Sequence, residues 1–191
     1  MKKTILLLSS LAVLSFMNSS CSKDETKTTS TPNPTLYERV GGTTLVADPR
    51  KSGGMVEQGR LTLNNVVDSS ILVIAADPQL AGYFPVLFAE LGNNNTTGLA
   101  ALSKNFTDFL CTATGSKNAA YAYTGKTMKA AHDPAANSRM GKKANAADFD
   151  KFVGDIGVGL AHNGVTASNN KQLVDDLVAL LYTTKADIVQ N

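Results

Sequence analysis

The residue with the clearest capacity for chemistry is His132, which ends the segment Tyr123-Thr-Gly-Lys-Thr-Met-Lys-Ala-Ala-His132. A neutral imidazole is a good ligand for haem iron, and one axial ligand is enough if the rest of the pocket is apolar. The spacing predicts a short helix from Thr127 to Ala131, which places Met128 and His132 on one face. The alternative is a surface histidine that follows a short helix.

Other patterns that could carry chemistry are weak. The sequence has no Walker phosphate loop and no HExxH motif, and no serine has a histidine and an acid at an arguable spacing. His162 falls in a predicted last helical turn, where a cation complements the helix dipole, so we expect a structural role for it. The paired acids Asp175-Asp176 belong to a solvated helix face. Cys111 lies in an apolar helical stretch and is predicted to be a buried thiol.

Residues 1–20 are predicted to be a lipoprotein signal peptide rather than part of the fold. Two lysines precede a short apolar run from Ile5 to Met17, and small residues then lead to Cys21. The segment Asn18-Ser19-Ser20-Cys21 resembles a lipoprotein cleavage site, although Asn18 replaces the usual aliphatic residue. We therefore expect lipidation of Cys21.

Residues 21–34 are rich in Thr, Ser, Lys, Pro and Asn and are predicted to be a flexible tether. Lys23-Asp24-Glu25 resembles a signal that sends some lipoproteins of gram-negative bacteria to the cell surface, and plain linker charge is an equal alternative. The expected location is therefore the bacterial outer membrane, with the domain facing either side. Loss of the two leader lysines leaves 16 basic residues of the original 18 against 16 acidic ones. This balance argues against a nucleic-acid partner.

Residues 35–191 are predicted to form one all-α domain. Thr35 and Glu38 form a capping box at the first helix. Residues 63–76 have helical spacing, with a strand as the competing interpretation because β-branched residues are frequent there. Asp77-Pro78 is expected to begin the next helix, with Asp77 as its cap and the proline in its first turn. Further helices are predicted at residues 99–114, 127–131, 145–163 and 170–189.

Several segments, taken in order along the chain, resemble truncated haemoglobins of the first group. They are Leu36–Gly42, Ala76–Phe84, Phe109–Gly115, Tyr123–His132, Ala147–Asp150 and Gly164–Val165. Each segment is weak alone, but their shared order covers nearly all of the predicted domain. The resemblance implies a short globin fold, in which two helices cross two others over a haem b.

The resemblance also implies roles for individual residues. It places His132 as the proximal iron ligand, and Phe84 at the corner where a phenylalanine stacks on the porphyrin. Met128 and Leu102 would line the proximal and distal faces, and Phe106 falls where a distal glutamine is common. For Phe84, Leu102 and Phe106, ordinary core packing is the alternative.

The sequence departs from the family where bound oxygen normally receives a hydrogen bond. Ile71 stands at the position of the usual tyrosine, and Ser70 stands where a phenylalanine is usual. A hydrogen bond to a polarised ligand contributes about 1.5–3 kcal/mol, so we expect weak oxygen retention and a smaller effect on carbon monoxide. Three loops are expected to be enlarged, at residues 47–61, 85–98 and 133–143. Candidate replacement donors are Tyr83, Tyr121 and Tyr123.

The sequence therefore predicts a haem protein that binds oxygen, nitric oxide or carbon monoxide at iron held by His132. We interpret it first as a binding protein, because removal of nitric oxide or peroxide would need an external reductase. The alternative is a globin-derived surface lipoprotein that acts as an interaction or haem-holding module without gas chemistry. A third hypothesis is a periplasmic hydrolase, but no nucleophile and base can be identified for it.

Overall fold

The structure is a computed structural model that describes residues 33–191. The predicted signal peptide, Cys21 and all but the last two residues of the tether lie outside the described residues. The helices are α1 (Leu36–Arg39), α2 (Gln58–Ala76), α3 (Pro85–Gly92), α4 (Thr97–Thr114), α5 (Met128–Ala131), α6 (Ala146–His162), α7 (Ala167–Tyr182) and α8 (Lys185–Ile188). Strands β1 (Leu45–Ala47) and β2 (Met55–Glu57) form a hairpin between α1 and α2. The predicted helical class is confirmed, with this hairpin as an addition.

The first helix begins at the predicted capping box. Thr35 Oγ1 accepts a hydrogen bond from the Glu38 backbone nitrogen at 3.1 Å, and the Glu38 carboxylate accepts one from the Thr35 backbone nitrogen at 2.6 Å. The expected loop over residues 47–61 is wrong at both ends. Its first residue closes β1, and the chain from Met55 onward forms β2 and the first turn of α2. Three-residue strands are too short to give a period in the sequence.

Helix α2 lies at the centre of the fold, where it packs against α4 and α6. Its face with Leu63, Val67 and Ile74 is buried, and the helix interpretation of this segment is confirmed over the strand. Burial of this apolar face outweighs the modest cost of β-branched residues in a helix.

The helix expected to begin at Asp77-Pro78 is wrong. Asp77 Oδ1 accepts a hydrogen bond from the Gln79 backbone nitrogen at 2.7 Å, which makes a turn, and a single 3₁₀ turn follows at Ala81–Tyr83. Helix α3 begins instead at Pro85, so most of the segment expected as an enlarged loop at 85–98 is helical. A residue before proline is pushed out of the helical region, and Phe84 accordingly has φ −120° and ψ 43°. A helix that began at Pro78 would therefore have to end at Phe84.

The ends of the long helices follow local signals in the sequence. Gly115 ends α4 with a left-handed φ of 104°, and the Asn145 side chain caps α6 by accepting from the Asp148 backbone nitrogen at 2.8 Å. The single last helix predicted from residue 170 to 189 is wrong. It divides into α7 and α8 at Thr183 and Thr184, whose hydroxyls donate to the Leu180 and Leu181 carbonyls of the preceding turn.

The crossing of α2 and α6 depends on a close approach between Gly159 and Ser70. Ser70 is fully buried and donates to the Val66 carbonyl at 2.8 Å, and a Cβ on Gly159 would collide with the Ser70 side chain. We expect Gly159→Ala to lower the free energy of unfolding by about 1–3 kcal/mol. On the same helix, a Cβ on Gly157 meets no atom within 4 Å, so Gly157→Ala should raise it by about 0.5–1 kcal/mol. Urea unfolding of both variants would measure the difference, and equal effects would contradict the close crossing.

None of the helices within residues 33–191 combines the length and the apolar content needed to cross a membrane.

Candidate functional site

A cavity of about 500 Å³ opens beside α2 and α4 and extends to α5 and α8. Its wall is mostly apolar, and pockets for cofactors and small ligands have this character. The structure brings the predicted site residues together around this one cavity. They are Phe84, Leu102, Phe106, Met128 and His132.

His132 follows α5 directly and is held by the preceding turn. The Thr127 hydroxyl caps α5 by accepting from the Ala130 backbone nitrogen at 3.3 Å, and His132 Nδ1 lies 2.8 Å from the Met128 carbonyl oxygen. A carbonyl oxygen can only accept, so Nδ1 carries the proton and Nε2 keeps its lone pair. Desolvation lowers the pKa of His132. The ring is therefore neutral at neutral pH, which is the form that binds a metal.

The part of the wall that comes from α2 and α4 is mostly apolar, with Asn105 as a polar member. Ile71 is buried and lines the cavity, whereas its neighbour Ser70 faces the backbone of α2 and helix α6. Leu102 and Phe106 are half-buried, and the Phe106 ring centroid lies 6.0 Å from that of Phe152 on α6. The structure thus places a branched hydrocarbon and no hydroxyl at position 71.

The three tyrosines considered as replacement donors have other partners. Tyr83 lines the cavity but donates its hydroxyl to the Asp148 carboxylate, and this bond lowers the pKa of Asp148. Tyr123 also lines the cavity and donates to the Lys126 carbonyl at 2.6 Å. Tyr121 does not line the cavity. Its ring lies under the guanidinium of Arg60, whose Cζ atom is 4.4 Å from the centroid of the Tyr121 ring. The hydroxyls of Tyr83 and Tyr123 thus donate to protein acceptors, and Tyr121 is not part of the cavity wall.

Several polar residues of the cavity wall had not been predicted from the sequence. Asn105 lies on α4 three residues after Leu102, so helical spacing could have indicated that it faces the same side. Lys126, Asn137 and Arg139 lie in loops beside α5, where no periodic pattern indicates which side chains turn inward. The rim of the cavity is therefore more polar than the sequence suggested.

Four residues that were expected to have structural rather than chemical roles lie in positions that fit those roles. They are Cys111, His162, Asp175 and Asp176. Cys111 is fully buried, and burial raises the pKa of its thiol to about 11. His162 is exposed in the last turn of α6. Asp175 and Asp176 pair with Lys171 and Arg39, each at 2.5 Å. Among residues 33–191, no three histidine, cysteine or acidic side chains converge to hold a metal ion.

Solved structures of truncated haemoglobin share this fold. Two ferric forms of the truncated haemoglobin from Tetrahymena pyriformis, each with a different single substitution, match with a TM-score of 0.54 and 19% identity. Each match covers 83% of this chain and 100% of the other. At this identity the likeness establishes the fold, which is a globin fold of the truncated kind. No family model matches the sequence, and neither does any curated protein.

Proposed function

We propose that this chain is a haem-binding globin of the first truncated group, in which Nε2 of His132 binds the iron of a haem b. The main observation behind the proposal is that a neutral His132 lies on the wall of an apolar cavity. Its Nδ1–H group donates a hydrogen bond to the Met128 carbonyl, which leaves Nε2 able to bind a metal. The cavity volume of about 500 Å³ falls within the ~300–1,000 Å³ of pockets for drug-sized ligands. The donor and the wall both fit an iron porphyrin.

Different residues of the cavity wall would contact different parts of the haem. Phe84 and Met128 offer aromatic and thioether surface to the porphyrin, and Ile71, Leu102 and Phe106 exclude water with hydrocarbon. When bound, the haem supplies iron with a position open to a diatomic gas. Because Ile71 carries no hydroxyl, we expect carbon monoxide and nitric oxide to be retained better than oxygen. Any removal of nitric oxide or peroxide would depend on a separate reductase.

A second candidate is a protein that holds haem without gas chemistry. It is favoured by the hydroxyls of Tyr83 and Tyr123, which are directed to Asp148 and to the Lys126 carbonyl. Both candidates share the haem pocket and differ only in whether the iron accepts an external ligand.

Absorbance spectra of the full chain separate the candidates. The purified protein is mixed with excess haem, separated from free haem, and recorded in ferric, ferrous and carbon monoxide states. The first candidate predicts a strong Soret band that shifts when carbon monoxide is added to the ferrous form. A Soret band without that shift would support the second, and a colourless folded protein would exclude both.

We also propose that Cys21 is lipidated and anchors the domain to the outer membrane of a bacterium. Cys21→Ser should move the protein from the membrane fraction to the soluble fraction and abolish labelling by a radioactive fatty acid. Cys111→Ser is the matched control, because Cys111 is enclosed within the fold and its loss should leave labelling unchanged. Protease treatment of intact cells would show whether the domain faces outward. Labelling of the Cys21→Ser protein would contradict the assignment.

A further inference from the structure

A loop beside the proposed iron ligand forms part of the cavity wall. Residues 133–143, here called the strap, connect His132 to the cap of α6. Three side chains of the strap line the cavity, namely Asn137, Arg139 and Met140. The strap is the same segment that the sequence predicted to be an enlarged loop. Any molecule in the cavity is therefore partly enclosed by this segment.

Both ends of the strap are fastened to neighbouring segments. Near its start, the Asn137 side chain donates to the Ala131 carbonyl at 2.7 Å, and Lys126 Nζ donates to the Ala136 carbonyl at 3.1 Å. Near its end, the Gly141 backbone nitrogen donates to the Tyr83 carbonyl at 3.0 Å. The approach there is so close that a Cβ on Gly141 would collide with the Gly82 carbonyl.

The middle of the strap is held by one ion pair. Arg139 donates from Nη1 to Glu90 Oε1 at 2.8 Å and from Nη2 to Glu90 Oε2 at 2.6 Å, so the two groups meet as a fork. This arrangement is the strongest form of a carboxylate–guanidinium contact. It joins the strap to α3 across 49 positions of sequence. The hydrogen bond from Arg139 holds the pKa of Glu90 below its usual range, so the pair remains charged at neutral pH.

The surroundings of the pair also fit this contact. Gly98, which lines the cavity at the start of α4, lies against both members, and a Cβ on it would collide with the Glu90 carboxylate and the Arg139 guanidinium. The pair therefore occupies space at the edge of the cavity that any other residue at position 98 would take.

We propose that the Glu90–Arg139 pair is a latch that keeps the strap closed and limits the rate at which the occupant of the cavity leaves. The identity of the occupant as haem rests on the proposed function, whereas the latch itself rests on the geometry of the strap. Since the Arg139 side chain is 46% exposed and that of Glu90 is 22% exposed, solvent and salt weaken the pair. We expect its loss to speed haem release about five-fold, which corresponds to ~1 kcal/mol.

Haem transfer from the loaded full chain to excess apomyoglobin measures this rate. Arg139→Gln and Glu90→Gln should each accelerate transfer about five-fold, and high salt should accelerate the parent protein but not the variants. Lys171→Gln is the matched control, because it removes an exposed pair with Asp175 on α7, outside the cavity lining. If only Arg139→Gln has an effect, then Arg139 binds the occupant directly and the latch is excluded. Unchanged rates in both variants would also exclude it.

Hydrogen exchange in the protein without haem tests the latch independently of the proposed function. Both latch variants, and Gly98→Ala, should speed amide exchange within residues 133–143 while exchange in α2 and α6 stays the same. If the protein binds no haem but the strap exchanges faster in these variants, the latch stands and the proposed function fails. If exchange of the strap is unchanged, the latch is overturned even if haem binds.

Discussion

Replacing His132 by alanine should abolish retention of haem by the folded protein, with an affinity at least ~100-fold below that of the parent. Loss of a group that only hydrogen-bonds a metal ligand already costs about 10–100-fold, and His132→Ala removes the ligand itself. The change is expected to eliminate most of the Soret band after free haem is removed. Titration of the protein with haem, followed by absorbance, gives the affinity.

The chain offers a matched control for this variant in its other histidine. His162 lies exposed at the end of α6 and outside the cavity lining, so His162→Ala should bind haem like the parent. Addition of free imidazole should restore colour to His132→Ala, because it supplies the missing ring without repairing any other defect. Full retention of haem by His132→Ala, or a loss that imidazole does not reverse, would count against His132 as the iron ligand.

Replacing Ile71 by tyrosine should slow oxygen dissociation about ten-fold or more. A hydrogen bond from a hydroxyl to bound, polarised oxygen contributes about 1.5–3 kcal/mol, and each 1.4 kcal/mol is a factor of ten. Position 71 is buried on α2 and lines the cavity, so the new hydroxyl would enter the pocket. Laser photolysis and stopped-flow mixing measure the rate. Carbon monoxide dissociation should change less, because bound carbon monoxide is less polarised.

Ile71→Phe is the control, since it adds the aromatic bulk without the hydroxyl. Enlarging a buried residue costs about 1–3 kcal/mol of stability, and that cost should be similar in the two variants. If Ile71→Phe slows oxygen release as much as Ile71→Tyr, the effect is steric and the argument from hydrogen bonding is wrong. An unchanged rate in Ile71→Tyr would show that position 71 does not face the bound gas.

Features set by neighbouring residues could be predicted from the sequence. The capping box of Thr35 and Glu38, the Asn145 cap and the shared face of Met128 and His132 all lie within four residues, where helical geometry fixes the contact. The five expected haem contacts came from the family resemblance, and the structure gathers them around one cavity. Their role toward haem stays a prediction.

Features that depend on distant contacts could not be predicted. Pro78, which follows a potential cap in Asp77, gives a stronger local signal for a helix start than Pro85, yet the helix begins at Pro85. The Asp77 carboxylate instead forms a turn with Gln79 and pairs with Lys151 of α6. Glu90 and Arg139 are far apart in sequence, and neither lies in a pattern that points to the other. The polar rim of the pocket arises from such pairs, which is why the sequence predicted its apolar wall more fully than its edge.

Two adjacent residues of α2, Ser70 and Ile71, face different parts of the molecule. Ser70 meets Gly159 and fixes how two helices cross, while Ile71 faces the cavity. Under the proposed function, substitutions at residue 71 change ligand preference and leave the Ser70–Gly159 contact in place. Position 71 is thus the place on α2 where the chemistry of the cavity wall can be changed apart from the crossing of α2 and α6.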